Sequence, residues 1–166
     1  MTTAPNATNE LLVDNEIPPG LVLEMHAKMG RNLLRFQLIE SGIKLMLPVT
    51  HPDGSASGDD AYATLKSEVK QKTLGGLRTR LLEAVRTDDP DRFSSYLSSV
   101  VDSRNNFIHH FLQQPGVSLA SQDGLRAAVS YLDEQYEFTE MLFVMISHVN
   151  IEFATLIIER DNPSKF

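Results

Sequence analysis

The apolar residues of this chain recur every three or four positions over most of its length, and this spacing constrains the fold more than any other feature. Four such runs are visible, and their first apolar residues are Leu21, Tyr62, Phe93 and Leu125. No segment shows the two-residue alternation of a strand flanked by hairpin turns. The sequence therefore predicts an all-α fold, a four-helix-type bundle with long first and last helices.

Segments rich in proline, glycine and small polar residues separate the predicted helices. The first predicted helix closes at Pro48, and residues 48–60 predict a flexible surface loop. The second run crosses Gly75 and Gly76, which predict a bend or a close approach to another helix. Ser121 caps the last predicted helix, which is expected to continue for roughly ten turns.

Length and composition indicate one soluble domain. The chain has 166 residues, of which 42% are hydrophobic and 22% are charged, so it can bury a single core. Residues 1–17 predict a flexible leader, and residues 18–162 predict a single helical domain. The leader does not resemble a signal peptide, and no stretch is expected to approach the length of a membrane span. A cytoplasmic protein without a membrane partner is therefore expected.

Charge and cysteine content argue against several classes of function. Fifteen Lys and Arg residues against 22 Asp and Glu residues give a formal net charge of −7, so the whole-molecule field repels polyanions. The chain has no cysteine, which excludes disulfides, thiolate nucleophiles and cysteine-based metal sites. His148 and Glu152 are four residues apart and predict a side-chain pair rather than half of a metal site. Neither a cofactor nor a resident metal is expected.

A polar cluster interrupts the third apolar run between Asp102 and Phe111. At about 100° per residue, Asn105 and His109 share one stripe of the helix, whereas Arg104 begins about 140° away from His109. The guanidinium must therefore reach toward the stripe along its flexible stem. Arg104 offers a planar fork for phosphate, His109 can exchange a proton near neutral pH, and Asn105 offers a positioning amide. These are the groups that metal-free transfer of a phosphodiester needs.

Another interpretation of this cluster is structural. Arg104 would then form an ion pair with Asp102 or with an acidic residue of the last helix, and His109 would be a packed histidine. The basic residues elsewhere either flank an RNA cleft or balance nearby carboxylates. They are Arg31, Arg35, Lys66, Lys70, Lys72, Arg78 and Arg80.

The order Arg104, Asn105, three further residues and His109 resembles the Arg-x4-6-His motif of the HEPN superfamily, in which Asn, Asp or His commonly follows the arginine. The surrounding sequence SRNNFIHHFL is similar to the motif helix of that superfamily. The sequence TLGG at residues 73–76 also looks like one of its prokaryotic branches. The resemblance covers roughly residues 60–160.

The resemblance implies a helical bundle that dimerises so that two motifs meet in one cleft and act as a metal-independent endoribonuclease. It implies that Arg104, Asn105 and His109 are catalytic. The histidine would transfer protons, the RNA 2′-hydroxyl would attack, the arginine would stabilise charge at phosphorus, and a cyclic phosphate would remain. His110 is a weaker candidate, for the edge of the cleft.

Partners follow from the same resemblance. Many HEPN proteins are toxins or defence effectors beside a small nucleotidyltransferase or another antitoxin, so a protein partner of this kind is expected together with RNA. The alternative is a non-catalytic HEPN-like bundle that binds a partner protein or a nucleotide.

Overall fold

The computed structural model describes residues 17–55 and 59–161 of the chain. Over these residues it contains seven α-helices, one 3-10 helix and no strand, which confirms the predicted all-α class. The helices are α1 (Pro19–Thr50), α2 (Pro52–Ser55), α3 (Asp59–Lys70), α4 (Leu74–Ala84), α5 (Pro90–His110), α6 (Gln122–Phe138) and α7 (Glu140–Asp161), with the 3-10 helix at Phe111–Gln113. The predicted leader lies outside the described residues, except for Ile17, which packs against the core.

Helix α1 lies at the centre of the bundle, and α2, α3, α4, α6 and α7 all pack against it. Helices α6 and α7 run beside α1 in the same direction. Asn32 of α1 donates to the backbone carbonyl of Leu132 at 2.8 Å, and further along Asn150 of α7 donates to the carbonyl of Gly42 at 3.1 Å. The buried side of α1 supplies much of the core, with Met25, Phe36, Ile39, Ile43, Met46 and Leu47.

Helix α5 runs antiparallel to α6 and reaches the start of α7. The hydroxyl of Tyr96, early in α5, donates to the carbonyl of Phe138 at 3.1 Å, at the end of α6. Near the other end of α5, the ring of Phe107 stacks on Phe36 of α1 with 5.9 Å between the ring centroids. These contacts hold both ends of α5 against the helices that α1 organises.

The second predicted helix is in fact two helices, α3 and α4. The carboxylate of Glu40 accepts a hydrogen bond from the backbone N–H of Leu74 at 2.9 Å, which satisfies a free donor at the start of α4. Gly75 and Gly76 lie in the first turn of α4 rather than at a bend within one helix. A Cβ atom at Gly75 would lie 3.4 Å from Val101, so α4 and α5 approach closely there.

The last predicted helix is also divided, at Thr139 between α6 and α7. This threonine is 1% exposed, and its hydroxyl bonds the carbonyl oxygens of Gln135 and Tyr136 in the preceding turn. A threonine that bonds the preceding turn in this way bends a helix. The two pieces nevertheless follow each other along α1, as a long last helix would.

Part of the predicted surface loop at residues 48–60 is helical and buried, which corrects the prediction. Helix α1 continues through the buried Pro48, and α2 follows it. His51 is 2% exposed, and its Nε2 lies 2.9 Å from Oε2 of Glu83. Gly54 is buried, and a side chain at this position would overlap the carbonyl oxygen of Pro48. Residues 56–58 lie outside the described part of the chain.

Helix α7 is more apolar than the sequence analysis recognised. The stretch Glu140–Ile158 has 19 residues and a mean hydropathy of 1.9, and 11% of it is buried. By length and composition alone it could cross a membrane, so the expectation that no stretch approaches a membrane span is wrong. Buried core helices pass the same test, and the low burial of this one is its distinctive property.

Helices α1 and α7 approach each other closely at Gly42. A Cβ atom there would overlap Cγ2 of Ile146, a core side chain that is 2% exposed. We expect Gly42→Ala to lower the free energy of unfolding by about 1–3 kcal/mol, because the packed isoleucine cannot move aside. Gly30→Ala is the matched control on the same helix, since nothing lies within 4 Å of its Cβ position. Gly30→Ala is expected to raise the free energy of unfolding by up to about 1 kcal/mol. If urea denaturation finds Gly42→Ala as stable as Gly30→Ala, this packing is contradicted.

An ionic contact between α1 and α6 is expected to respond to pH. Asp133 binds Nζ of Lys28 at 2.6 Å and the guanidinium of Arg31 at 2.9 Å, and these bonds lower the pKa of Asp133. A carboxylate whose pKa is lowered by folding stabilises the fold at pH values above its unfolded-state pKa of about 4. This stabilisation is lost as the pH falls through the folded-state pKa. Asp133→Asn should therefore destabilise the protein at pH 7, by up to about 1 kcal/mol because the carboxylate is partly exposed. Urea denaturation should show this loss shrinking below about pH 4, and a loss of constant size would contradict the pair.

Candidate functional site

Helix α5 positions the candidate residues in its last two turns. It begins after Asp89, whose side chain accepts a hydrogen bond from the backbone N–H of Arg92 at 3.0 Å and so caps the helix. One side of α5 is buried in the core through Leu97, Val100, Ser103 and Phe107. Because this side is fixed, the direction in which the motif residues leave the helix is fixed as well.

The structure brings two of the three candidate residues into contact. Nη1 of Arg104 donates to Oδ1 of Asn105 at 3.2 Å, and both side chains are half-buried. This bond turns the guanidinium toward the stripe that Asn105 shares with His109. His109 lies one turn further along α5, is exposed, and makes no hydrogen bond within the described part of the chain.

Arg104 is not paired with a carboxylate among the described residues. Its hydrogen bond goes to an amide oxygen, and Asp102, the neighbour that the structural interpretation requires, is exposed and forms no ion pair with it. Other arginines of the bundle do pair with acids: Arg35 lies 2.7 Å from Glu140. The ion-pair interpretation of Arg104 therefore has no support within residues 17–55 and 59–161.

The donors of this site suit an anion. Arg104 uses one of its five N–H groups for Asn105, and the Nδ2 group of Asn105 has no acceptor among the residues described. Guanidinium and amide N–H groups on neighbouring residues can bind two oxygens of one phosphate. Among the described residues, the imidazole of His109 has a ring contact with His110, edge to face, with 6.2 Å between the centroids. An exposed imidazole without a hydrogen bond is accessible for proton transfer.

Around the motif the described residues expose apolar side chains, and the groove on α5 lies toward the opposite end of that helix. Ile108 and Leu112 flank His109 and are 38% and 60% exposed. A groove of about 530 Å³ lies beside Phe93 and Tyr96, toward the opposite end of α5. Thirteen residues separate Tyr96 from His109, which is about 20 Å along the helix.

Several basic residues that could have lined an RNA cleft bind carboxylates instead. Arg31, Arg35, Lys72 and Arg80 lie within ion-pair distance of Asp133, Glu140, Glu68 and Asp53, respectively. The pKa of Glu68 is lowered by its hydrogen bond to Lys72 and then by the one to Arg80. Arg78 bonds the hydroxyl of Ser94 at 3.1 Å. Of the two interpretations of these basic residues, charge balance is the one that the contacts favour.

A cluster of arginines and aromatic rings joins α1 to α6 and α7, and the sequence analysis missed it. The guanidinium of Arg35 lies 4.0 Å from the ring centroids of both Tyr136 and Phe143, and that of Arg31 lies 3.9 Å from the centroid of Tyr136. Arg35 is 5% exposed, so its stacking is shielded from water and stabilises the bundle. The four-residue spacing of the arginines was a signal, but their aromatic partners lie a hundred residues away.

The predicted pair of His148 and Glu152 lies on the surface of α7. Nε2 of His148 is 3.7 Å from a carboxylate oxygen of Glu152, and both side chains are exposed. Within the described ranges, no group of three or more His, Asp or Glu residues could hold a metal ion.

No family model, curated protein or solved structure matches the chain in the comparisons with known proteins. A functional assignment therefore depends on the residues and their contacts.

The site geometry predicts which arginine is needed for the fold. We expect Arg104→Ala and His109→Ala to change the free energy of unfolding by less than about 0.5 kcal/mol, because neither side chain fills the core. Arg35→Ala should lower it by about 2 kcal/mol, because the variant loses two stacked rings and the partner of Glu140. Thermal and urea denaturation compare the three variants. Unfolding of the Arg104 or His109 variant would identify these residues as structural.

Proposed function

We propose that this chain is a HEPN-like, metal-independent endoribonuclease in which Arg104, Asn105 and His109 from two copies form one composite site. The proposal rests on the contacts that the guanidinium of Arg104 makes and lacks. Its half-buried guanidinium has no carboxylate partner among the described residues and is turned by Asn105. It lies five residues before His109, whose exposed imidazole has no hydrogen bond in the same part of the chain. The donors that remain on Arg104 suit a phosphodiester.

The chemistry follows from these groups. His109 accepts the proton of an RNA 2′-hydroxyl, and the resulting oxygen attacks the adjacent phosphorus. Arg104 and the amide of Asn105 stabilise the charge that develops on the phosphoryl oxygens. The bond from phosphorus to the 5′-oxygen breaks, and a second imidazole returns a proton to that oxygen. The products are a 2′,3′-cyclic phosphate and a 5′-hydroxyl, and no step uses a metal ion.

The need for two imidazoles supports a homodimer. One copy of the motif supplies one imidazole and one guanidinium, whereas the reaction needs a base at the nucleophile and an acid at the leaving group. The apolar side chains of Ile108 and Leu112 beside His109 are exposed enough to contact a second copy. Since the net charge of −7 opposes long-range attraction of RNA, binding depends on the donors within the composite cleft.

The biological setting follows from the resemblance alone. It is that of a cytoplasmic toxin or defence effector with an RNA target, held in check by an antitoxin or a nucleotidyltransferase. A non-catalytic, HEPN-like binding protein is the second candidate, and the observation that favours it is the large exposed apolar surface of α7.

Cleavage of RNA in the presence of EDTA tests the activity. Wild-type protein should cleave a mixed pool of cellular RNAs, and His109→Ala should lower the rate by about 10²- to 10⁴-fold, because a proton-transfer group is lost. His110→Ala is the matched control, since this neighbouring histidine is also exposed on α5. It should keep the wild-type rate within about threefold, because a group outside the proton path contributes little to the barrier.

Two further observations make the outcome decisive. End-group analysis should find cyclic phosphates, and Arg104→Lys should also lose activity because lysine keeps the charge but lacks the planar fork. Intact RNA with the wild-type protein, or equal cleavage by the wild type and the His109 variant, would contradict the proposal and favour the binding protein.

A further inference from the structure

The outward side of α7 carries an apolar stripe that no described part of the chain covers. Its members are exposed and are spaced three, four, three, four and three residues apart: Met141, Val144, His148, Ile151, Thr155 and Ile158. The four apolar members are between 52% and 62% exposed. This alternation of three and four is the spacing with which one helix packs along another. We call these six residues the α7 stripe.

Toward its C-terminal end, α7 exposes three consecutive apolar residues. Leu156, Ile157 and Ile158 are 57%, 50% and 56% exposed. Successive helix residues point about 100° apart, so three exposed neighbours mean that this end is open in several directions. An apolar end of this kind is costly in water and needs a cover.

The N-terminal end of α7 borders a groove. This groove has a volume of about 530 Å³, and Phe93, Tyr96, Met141 and Met145 supply much of its apolar lining. Met141 belongs both to the groove and to the α7 stripe. The same helix therefore carries an apolar recess at one end and an exposed apolar end at the other.

We propose that the α7 stripe binds the α7 stripe of a second copy of this chain, with the two helices antiparallel. The spacing of the stripe reads the same in both directions, as a two-fold symmetric interface requires. Met141 then faces Ile158 of the other copy, Val144 faces Thr155, and His148 faces Ile151. All three pairs have the same midpoint along α7, between His148 and Ile151, so one two-fold axis at that point relates the two copies. The exposed end of each α7 then lies against the groove of the other copy.

The surface is large enough for a stable pair. The stripe spans 17 residue steps, about 26 Å of helix. Each exposed aliphatic side chain still presents on the order of 100 Å² to water. The apolar stripe residues, Leu156, Ile157 and the groove together offer on the order of 800 Å² per copy, which matches a stable interface.

The polar members of this surface favour a protein partner over a lipid one. The side chains of His148 and Glu152 are 73% and 63% exposed near the middle of the helix, where a bilayer would strongly disfavour them. In a helix pair they remain near water at the edge, and a polar residue within such a stripe helps to set the register. The inner side of α7 also binds α1, through the bond from Asn150 to Gly42, so lipid could not surround the helix.

This interface is separate from the proposed nuclease site. The groove at Tyr96 and the motif at His109 are about 20 Å apart along α5, so pairing through α7 does not bring the two His109 side chains together. The proposal therefore goes beyond the proposed function, and either can fail without the other.

The molar mass of the full chain, measured by sedimentation and light scattering, tests the pairing. Ile151→Glu puts a charge at the centre of the stripe and should halve the mass of the assembly. Leu23→Glu is the matched control, because Leu23 on α1 is 70% exposed and Ile151 is 62% exposed. It should leave the mass unchanged. Circular dichroism should show that both variants keep the wild-type helix content.

Disulfide trapping tests the direction of the helices, since the natural chain has no cysteine. Met141→Cys and Ile158→Cys are prepared separately and oxidised alone and as a mixture. Antiparallel pairing predicts a cross-linked dimer in the mixture only. Cross-links within each variant alone would overturn the antiparallel register.

Three other outcomes would overturn the proposal. The first is a monomeric wild-type protein, and the second is a mass that Ile151→Glu leaves unchanged. The third is a monomer that floats with vesicles of phosphatidylcholine and phosphatidylglycerol and loses this binding in Ile151→Glu, because a membrane would then be what covers the stripe.

Discussion

The burial of one side of α1 is the interaction on which the rest of the structure depends. Ile39, Ile43 and Leu47 have no exposed surface, and five of the other helices pack against this helix. The stacking of Phe107 on Phe36 then holds the C-terminal half of α5 against α1. Because this side of α5 is fixed in the core, His109 lies on the opposite, exposed side, and the half-buried Arg104 lies at the flank between the two. The candidate site is therefore positioned by packing that involves none of its own residues.

The class of fold was predictable because burying an apolar stripe every three or four residues has only a helical solution. The breaks between helices were not, because each depends on a bond that periodicity does not contain. Glu40 caps α4 across 34 positions of sequence, and the hydroxyl of Thr139 bends the last helix. His51 shows the same limit, since its buried ring bonds Glu83 of α4, 32 positions away. Composition predicted a flexible loop where a long-range contact orders the chain.

The candidate site was predictable only as far as helix geometry reaches. The angular relation of Arg104, Asn105 and His109 follows from their spacing, but the direction of the guanidinium and its lack of a carboxylate depend on neighbouring helices. The same limit applies to α7. Its periodic residues predict a helix, yet periodicity does not distinguish the side that α1 covers from the α7 stripe, which remains open. Both proposals arise from groups that the bundle leaves exposed or without a carboxylate among the described residues.

In the proposed function, Arg104 holds a phosphate beside His109. Nuclear magnetic resonance of the histidine side chains tests it directly, using a short RNA whose 2′-hydroxyls are methylated so that no cleavage can occur. We expect the ring signals of His109 to shift on titration and those of His148 on α7 to stay in place, and we expect Arg104→Ala to abolish the shift. A His109 signal that does not move, or that moves equally in the Arg104 variant, would contradict it.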